Sequence, residues 1–520
     1  MRSAVRPLAE ARYHATDSEG RAGHGGGHWL VLEAGDCGAE RGLCLAVFLE
    51  SGVFHDVRVD GDADGRGLVT MSNGAADLAG YLLFSADGEN GLMRAAHGLV
   101  RTELPAQRDS RGPRKVHLNT WEALGFDMDE ASCLRLVDDA AAIGAERFVL
   151  DDGWFRGRRD DRTSLGDWTV DADRFPNGLT PLIERCRAKG LDFGLWVEPE
   201  MVSPDSELAR AHPEWIIGGP DAPTQRNQLM LDLTRDDARA FVFESIDRLL
   251  RENDIAYLKW DHNRPLLSAS EADEAALSQV GAQMMRDLRR AHPGLEIEAC
   301  ASGGGRIDYE MLRHCRRVWP SDNNDAVERL RIIREWSRFI PLDVLGNHVG
   351  PSPNPVTGRR LDMDFRAKVA MFGHMGVEAD PGAMTADERD VLAAHIALYK
   401  AWRGVIHGGD LYHLRFADAG QTGFLCLAEE GARGLALAAR TDFAAKHEGE
   451  PVRLPGLAAD AGYRVRLLEP WPDKARRYLS NATKWREGIV LPGQAMMTSG
   501  LALPLTHPET AWLIALERVG

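Results

Sequence analysis

The chain has 520 residues, more than one hydrophobic core can serve, so two or three domains are expected. Its 44% hydrophobic and 27% charged residues are those of an ordinary globular protein and exclude a fibrous or disordered chain. The 62 Lys+Arg against 79 Asp+Glu leave a formal charge of -17, which repels phosphate backbones and anionic headgroups, so neither nucleic acid nor a membrane is an expected partner.

From the start of the chain, Met1 to Gly20 hold no apolar run of signal-peptide length, and no membrane-spanning apolar stretch follows, which predicts a cytoplasmic protein. The glycine-rich stretch Gly20 to Gly27 reads as a flexible lead-in, because no Lys-Ser/Thr follows it to hold a phosphate. Between residues 28 and 107, short apolar runs such as HWLVLEAG, GLCLAVFLESG and GYLLFSADGENG are broken by turn residues, predicting an N-terminal β-sandwich-like domain over 1–112. Cys37, Cys44, Cys133, Cys186, Cys300, Cys315 and Cys426 lie far apart without metal-ligand spacing, so reduced thiols are expected and no disulfide framework.

Over 113–406 the texture becomes short strands alternating with amphipathic stretches. Eight strand candidates begin at Val116, Arg147, Phe193, Ala256, Glu296, Arg317, Val344 and Met375. Helical stretches separate them, for example Ala131 to Gly144, Ala238 to Asn253 and Ala276 to His292. Eight β/α repeats predict a (β/α)8 barrel. An open doubly wound sheet gives similar text, but nearly every strand here ends in polar residues, as a barrel with its active site on one rim requires. From 407 to 520 the alternating runs LYHLRFAD, GFLCLAEE, RGLALAAR and AWLIALER predict a small C-terminal antiparallel β-sandwich.

In the fourth strand, side-chain alternation puts Tyr257, Lys259 and Asp261 on one face, with Asp261 at the rim and Lys259 a layer below, close enough to favour an ionised carboxylate. A structural ion pair is the plainer reading of that motif. The sixth strand ends at Asp322, and two carboxylates meeting across a barrel mouth are what glycosidic cleavage needs. Asp325 competes for the acid role, but its place before AVERLRIIREW is that of a helix N-cap. Asp151 and Asp152, adjacent at the second strand's end, suit either paired sugar hydroxyls or a divalent cation. Trp121, Trp154, Trp168, Trp196, Trp260 and Trp319 recur beside these acids, and indole faces stack on the C–H patches of a pyranose. Gly303 to Gly305 would allow close backbone approach to a ligand, Cys300 reads as pocket wall, and His348 reads either as a substrate contact or as an internal rim bond.

Taken in order, NTWEALGFD, FVLDDGWFRGRRDD, LGDW, RFPNGL, FGLWVEPEMVSPDS, HPEW, LDLTR, LKWDHNR, CASGGGRID, WPSDNND and HVGPSPN resemble glycoside hydrolase family 36 across residues 117 to 358. The resemblance implies a retaining α-galactosidase working by double displacement, with Asp261 as nucleophile and Asp322 as acid/base. It further implies that Asp151 and Asp152 meet the galactose 4- and 6-hydroxyls and that Lys259 and Asn263 meet hydroxyls near C2 and C3. Trp121, Trp196, Arg235, Cys300, Ser302 and Trp319 match other substrate-binding positions, and Ser302 stands where some members have glycine. No cofactor and no metal are implied. The expected partner is an α-galactoside oligosaccharide of melibiose or raffinose type; a homo-oligomer is left open, and the tetrameric assembly of the long members is not carried over. The chain departs from those members in placing only about 110 residues before the barrel. Two rival readings remain: a galactosyltransferase of the raffinose-synthase type, and a metal-dependent barrel enzyme built on Glu198, Asp261 and Glu298.

Overall fold

The structure, a computed structural model, describes residues 5–7, 12–16, 29–34, 43–49, 55–61, 67–73, 80–108, 112–265, 271–443 and 449–519. The Gly20 to Gly27 stretch and Cys37 lie outside them. Two compact units divide the chain, one of Met1–Arg111, His117–Ala141 and Glu146–Asp322, the other of Gly112–Val116, Ala142–Ala145 and Asn323–Gly520.

The first unit begins with two sheets. Strands Val5–Pro7, Trp29–Ala34, Leu43–Leu49 and Gly80–Ser85 form one, and Arg12–Thr16, His55–Gly61 and Gly67–Asn73 the other. A 16-residue helix, Gly88–Glu103, then stands where the sequence reads as more β structure. Its glycines hid it, but Leu92, Met93, Ala96 and Val100 recur at helical spacing and are all buried.

All eight expected barrel strands form: β1 (His117–Asn119), β2 (Arg147–Leu150), β3 (Asp192–Val197), β4 (Tyr257–Trp260), β5 (Glu296–Ala299), β6 (Arg317–Val318), β7 (Gly346–Val349) and β8 (His374–Val377). They lie in one sheet in the order β6-β5-β4-β3-β2-β1-β8-β7, a nearly closed (β/α)8 barrel. Helices cross between them, including Glu130–Ala142, Asp236–Glu252 and Glu271–Ala291, each within a few residues of its expected span. Beneath the rim the interior is polar as well as apolar. Glu298 binds Arg317 and the Tyr257 hydroxyl, while Arg147 pairs with Glu296 at 3.0 Å and lies over the Tyr257 ring. Such paired charges are costly to bury and costlier to break singly.

In the second unit, strands Asp410–His413, Gln421–Ala428, Arg433–Arg440, Gly462–Leu467, Ile489–Pro492 and Thr510–Val519 make one six-stranded antiparallel sheet. The antiparallel domain is as expected, but its second layer is not a second sheet among the described residues. Helices Met363–Ala370 and Ala386–Gly408 cover one face. Trp471, Val452, Leu454, Met496, Leu501 and Leu505 fill against the other. Residues 435 to 439, LALAA, are accordingly buried on both faces, a run rather than an alternation. Among the described residues, no helix is long and apolar enough to cross a membrane.

Candidate active site

Main-chain hydrogen bonds carry the sheet past the ends of the strands and set the site's geometry. Asp261 N donates to Val197 O at 2.8 Å, Cys300 N to Trp260 O at 2.8 Å, and Trp319 N to Ala299 O at 3.0 Å. Within β3 and β4, Trp196 is in register with Lys259. Residues 196, 259, 261, 300 and 319 thus follow one another around the C-terminal rim, which is where a barrel of this kind carries its chemistry.

Asp261 is 7% exposed and its carboxylate is fully engaged. Oδ2 accepts from Asn263 Nδ2 at 2.7 Å and from the Trp196 indole at 3.2 Å, and Oδ1 accepts from His262 N at 2.8 Å. Burial alone pushes its pKa up. The Lys259 charge and the bonds from His262, Asn263 and the Cys300 thiol outweigh that, so the acid is held below its ordinary value and stays ionised. The expected Lys259 effect is therefore present, although the ammonium bonds directly to Asp151 Oδ2, at 2.7 Å. That same oxygen accepts from Asn119 Nδ2 at 2.6 Å.

Asp151 and Asp152 point apart, as adjacent residues leaving a strand should. Asp152 faces Arg158, whose Nε lies 3.0 Å from Oδ1 and whose terminal nitrogen lies 2.7 Å from Oδ2, a two-pronged pairing. Burial raises the Asp152 pKa against that partner, and the nearby charges of Asp151 and Asp261 add to the rise.

Asp322 differs in being exposed to solvent. Its Oδ1 accepts from the Trp319 indole at 3.0 Å. Cys300 lies near both acids in charge terms. Burial pushes this thiol well above its ordinary range, and the negative charges of both Asp261 and Asp322 push it further, so one buried sulfur senses both acids. The glycine run holds Asp322 in place: a Cβ on Gly303 would sit 2.8 Å from Asp322 N and 2.9 Å from Ser321 Cα, and the backbone there has φ +81°. Only glycine fits. Asp325 takes the capping role expected of it, accepting from Val327 N at 2.9 Å and Glu328 N at 3.3 Å.

Asn263 bridges the floor of the site to its side. Its Oδ1 accepts from Ser302 Oγ at 3.0 Å and from Arg226 at 3.2 Å, and Arg226 also donates to Ser302 Oγ at 2.8 Å. Ser302 keeps a left-handed backbone, φ +47°, where glycine would sit with less strain. Arg235, by contrast, is not brought to this cluster. It stands at the start of helix Asp236–Glu252 and pairs with Asp237, at 3.1 and 3.0 Å. The arginine that reaches the site is Arg226, which sequence reading missed because it lies in a Gly/Pro-rich loop and ends no motif. Asn119 and Arg158 were missed for a similar reason, since nothing local to either marks its long-range partner.

The tryptophans act mostly as donors and walls. Trp154, Trp168, Trp196, Trp260 and Trp319 are all at most 3% exposed, and of the six singled out in the sequence Trp121, at 37%, offers an open ring. His348 is bound to Glu378 at 2.8 Å. The three carboxylates weighed as cation ligands are not clustered. Glu298 is taken by Arg317 and Tyr257, Glu198 by Asn263 and Gln228, and among the described residues no group of three acidic, His or Cys side chains is arranged to hold a metal. Of the cysteines, Cys133, Cys186, Cys300, Cys315 and Cys426 are free and buried.

A sequence profile of the family Melibiase matches residues 79–409. An alpha-galactosidase of Escherichia coli is 39% identical over 452 residues, covering 84% of this chain and 63% of that protein. Alpha-galactosidase AgaA of Geobacillus stearothermophilus is 32% identical over 526 residues, covering 96% and 69%. The crystal structure of a substituted AgaA in complex with raffinose superposes with a TM-score of 0.88 at 30% identity, over 99% of this chain and 72% of that one. The chain thus spans under two thirds of the length of its Escherichia coli relative. The matched profile, the similar alpha-galactosidases and the shared fold together place the chain in the Melibiase family, glycoside hydrolase family 36.

Proposed function

We propose that this chain is a retaining α-galactosidase that removes terminal α-D-galactosyl residues from oligosaccharides of melibiose or raffinose type. The observation that carries the reading is a pair of carboxylates in opposite surroundings, Asp261 buried and Asp322 exposed, each held by an indole N–H. Asp261, ionised and immobile, attacks the anomeric carbon. Asp322, in contact with water, protonates the departing oxygen and then takes a proton from the water that releases the sugar. Retention requires the two carboxyl groups to stand about 5 to 5.5 Å apart, whereas inversion needs about 6.5 to 9.5 Å.

Asp151, Asp152 and Lys259 supply the charged hydrogen-bonding groups that fix the sugar's hydroxyls, and Trp121 offers the exposed ring for stacking. AgaA, with raffinose bound in its crystal structure, supports an oligosaccharide substrate. A panel of p-nitrophenyl α- and β-glycosides tests the proposal, with the first-formed anomer read by NMR. The α-galactoside should be cleaved fastest and release α-galactose first; β-galactose as the first product would refute retention.

Arg226 belongs to this site and Arg235 does not. Arg226→Ala should raise KM for raffinose about tenfold, the scale of one hydrogen bond to a charged donor, while Arg235→Ala stays within about twofold of the parent. Steady-state kinetics on the two variants settles the assignment, and the reverse ranking would restore Arg235.

A further inference from the structure

Behind the nucleophile stands a carboxylate that the mechanism above does not use. Glu198 follows β3 directly and is 0% exposed. Its Oε1 accepts from Asn263 N, and its Oε2 accepts from Asn263 Nδ2 at 3.1 Å and Gln228 Nε2 at 2.9 Å. The Asn263 amide nitrogen therefore has both its hydrogens spent on acids, one on Glu198 and one on Asp261 Oδ2. Its oxygen is left facing Ser302 and Arg226. An amide can sit either way round in a pocket, and its neighbours decide which. Here two acceptors on one side and two donors on the other leave a single orientation.

We propose that Glu198 is a positioning residue for glycosyl transfer to Asp261, acting through Asn263. Resting on the α-galactosidase reading, this deepens it by naming what aims the nucleophile. Glu198 fixes Asn263 by both its backbone and its side chain, and Asn263 fixes the Asp261 oxygen that also meets the Trp196 indole. Free of this clamp, Asn263 keeps its orientation through Asp261, Ser302 and Arg226 but loses the second hold on its nitrogen and the one on its backbone. Its bond to the Asp261 oxygen is then less firmly aimed. Burial and the charge of Asp261 raise the Glu198 pKa, so a neutral form lies within reach. In that form Glu198 must itself donate. The side-chain oxygen of Gln228, which is buried with no hydrogen-bond partner, provides an acceptor once that amide rotates. The bond from the Asn263 backbone to Oε1 survives in that form, whereas the hold on the Asn263 side chain, which needs Oε2 as an acceptor, is full only when Glu198 is ionised.

A double-mutant cycle on the full chain tests this, using Glu198→Gln, Asn263→Ala and the pair, with p-nitrophenyl α-D-galactoside as the probe and thermal melting to verify folding. Glu198→Gln should lower kcat about tenfold or more, with KM changed less than about threefold and an unaltered melting temperature. In the Asn263→Ala background the same substitution should cost less than about twofold, because its route to Asp261 is already cut. Equal kcat losses in both backgrounds would overturn the inference, as would a wild-type kcat for folded Glu198→Gln. Neither result would touch the α-galactosidase reading, which fails separately if Asp261→Ala keeps its activity. Should Glu198→Gln not fold, Gln228→Leu probes the same clamp from its other side: a kcat loss under about twofold with intact folding would then count against it.

Discussion

Asp261→Ala should lower kcat on p-nitrophenyl α-D-galactoside by on the order of 10^4-fold or more, because a two-step displacement has no substitute for its nucleophile. Folding should persist, since alanine leaves Asn263, Trp196 and His262 with water for a partner rather than a hole in an apolar core. Azide should partly restore turnover. A small anion entering the vacated space attacks from the face that Asp261 covers, and the product is then β-galactosyl azide, inverted relative to the substrate. The NMR spectrum of that product decides the matter: lost activity with no azide adduct leaves the nucleophile elsewhere, and residual activity near the wild type removes Asp261 from the mechanism.

The second large effect concerns Asp322 and depends on the leaving group. Asp322→Ala should reduce kcat/KM on melibiose and raffinose by at least about 10^2-fold more than on p-nitrophenyl α-D-galactoside, because p-nitrophenolate departs without being protonated. Here azide intercepts the glycosyl-enzyme from the opposite face, so the adduct is α-galactosyl azide. The two azide products differ in anomer, which makes the pair of variants a check on each other. Parallel losses on both classes of substrate would move the acid role away from Asp322. Asp325 offers no ready replacement, because its oxygens are committed to the start of helix Ala326–Trp336 and to Thr357 and Arg359.

How much of this was readable from residues alone depends on the range of the interaction. The eight strands were legible because each is a short apolar run ending in polar residues, and a closed sheet repeats that text eight times. That Asp261 and Asp322 stand at the ends of barrel strands was legible because each follows a short apolar run. Helix Gly88–Glu103 was not, since three glycines and the preceding turn residues spoke for a loop, and only burial of Leu92, Ala96 and Val100 decides it. The C-terminal sheet was half legible: Leu435 to Ala439 show by their unbroken apolarity that both faces are covered, but not by what. Arg226 and Arg235 show the sharpest limit. Both are arginines near a turn, nine residues apart, and only the path of the loop after β3 decides which reaches Asn263 and which meets Asp237.

The contact at Gly303 reaches beyond local fit. Because the main chain of the loop after β5 rests against the main chain at Asp322, the backbone that carries the proposed acid is set by packing against a glycine and not by adjustable rotamers. Side chains elsewhere around the mouth are then free to diverge in size and polarity while that main chain keeps its place. A methyl group at this one position is expected to displace the main chain at Asp322, and with it the reach of the proposed acid.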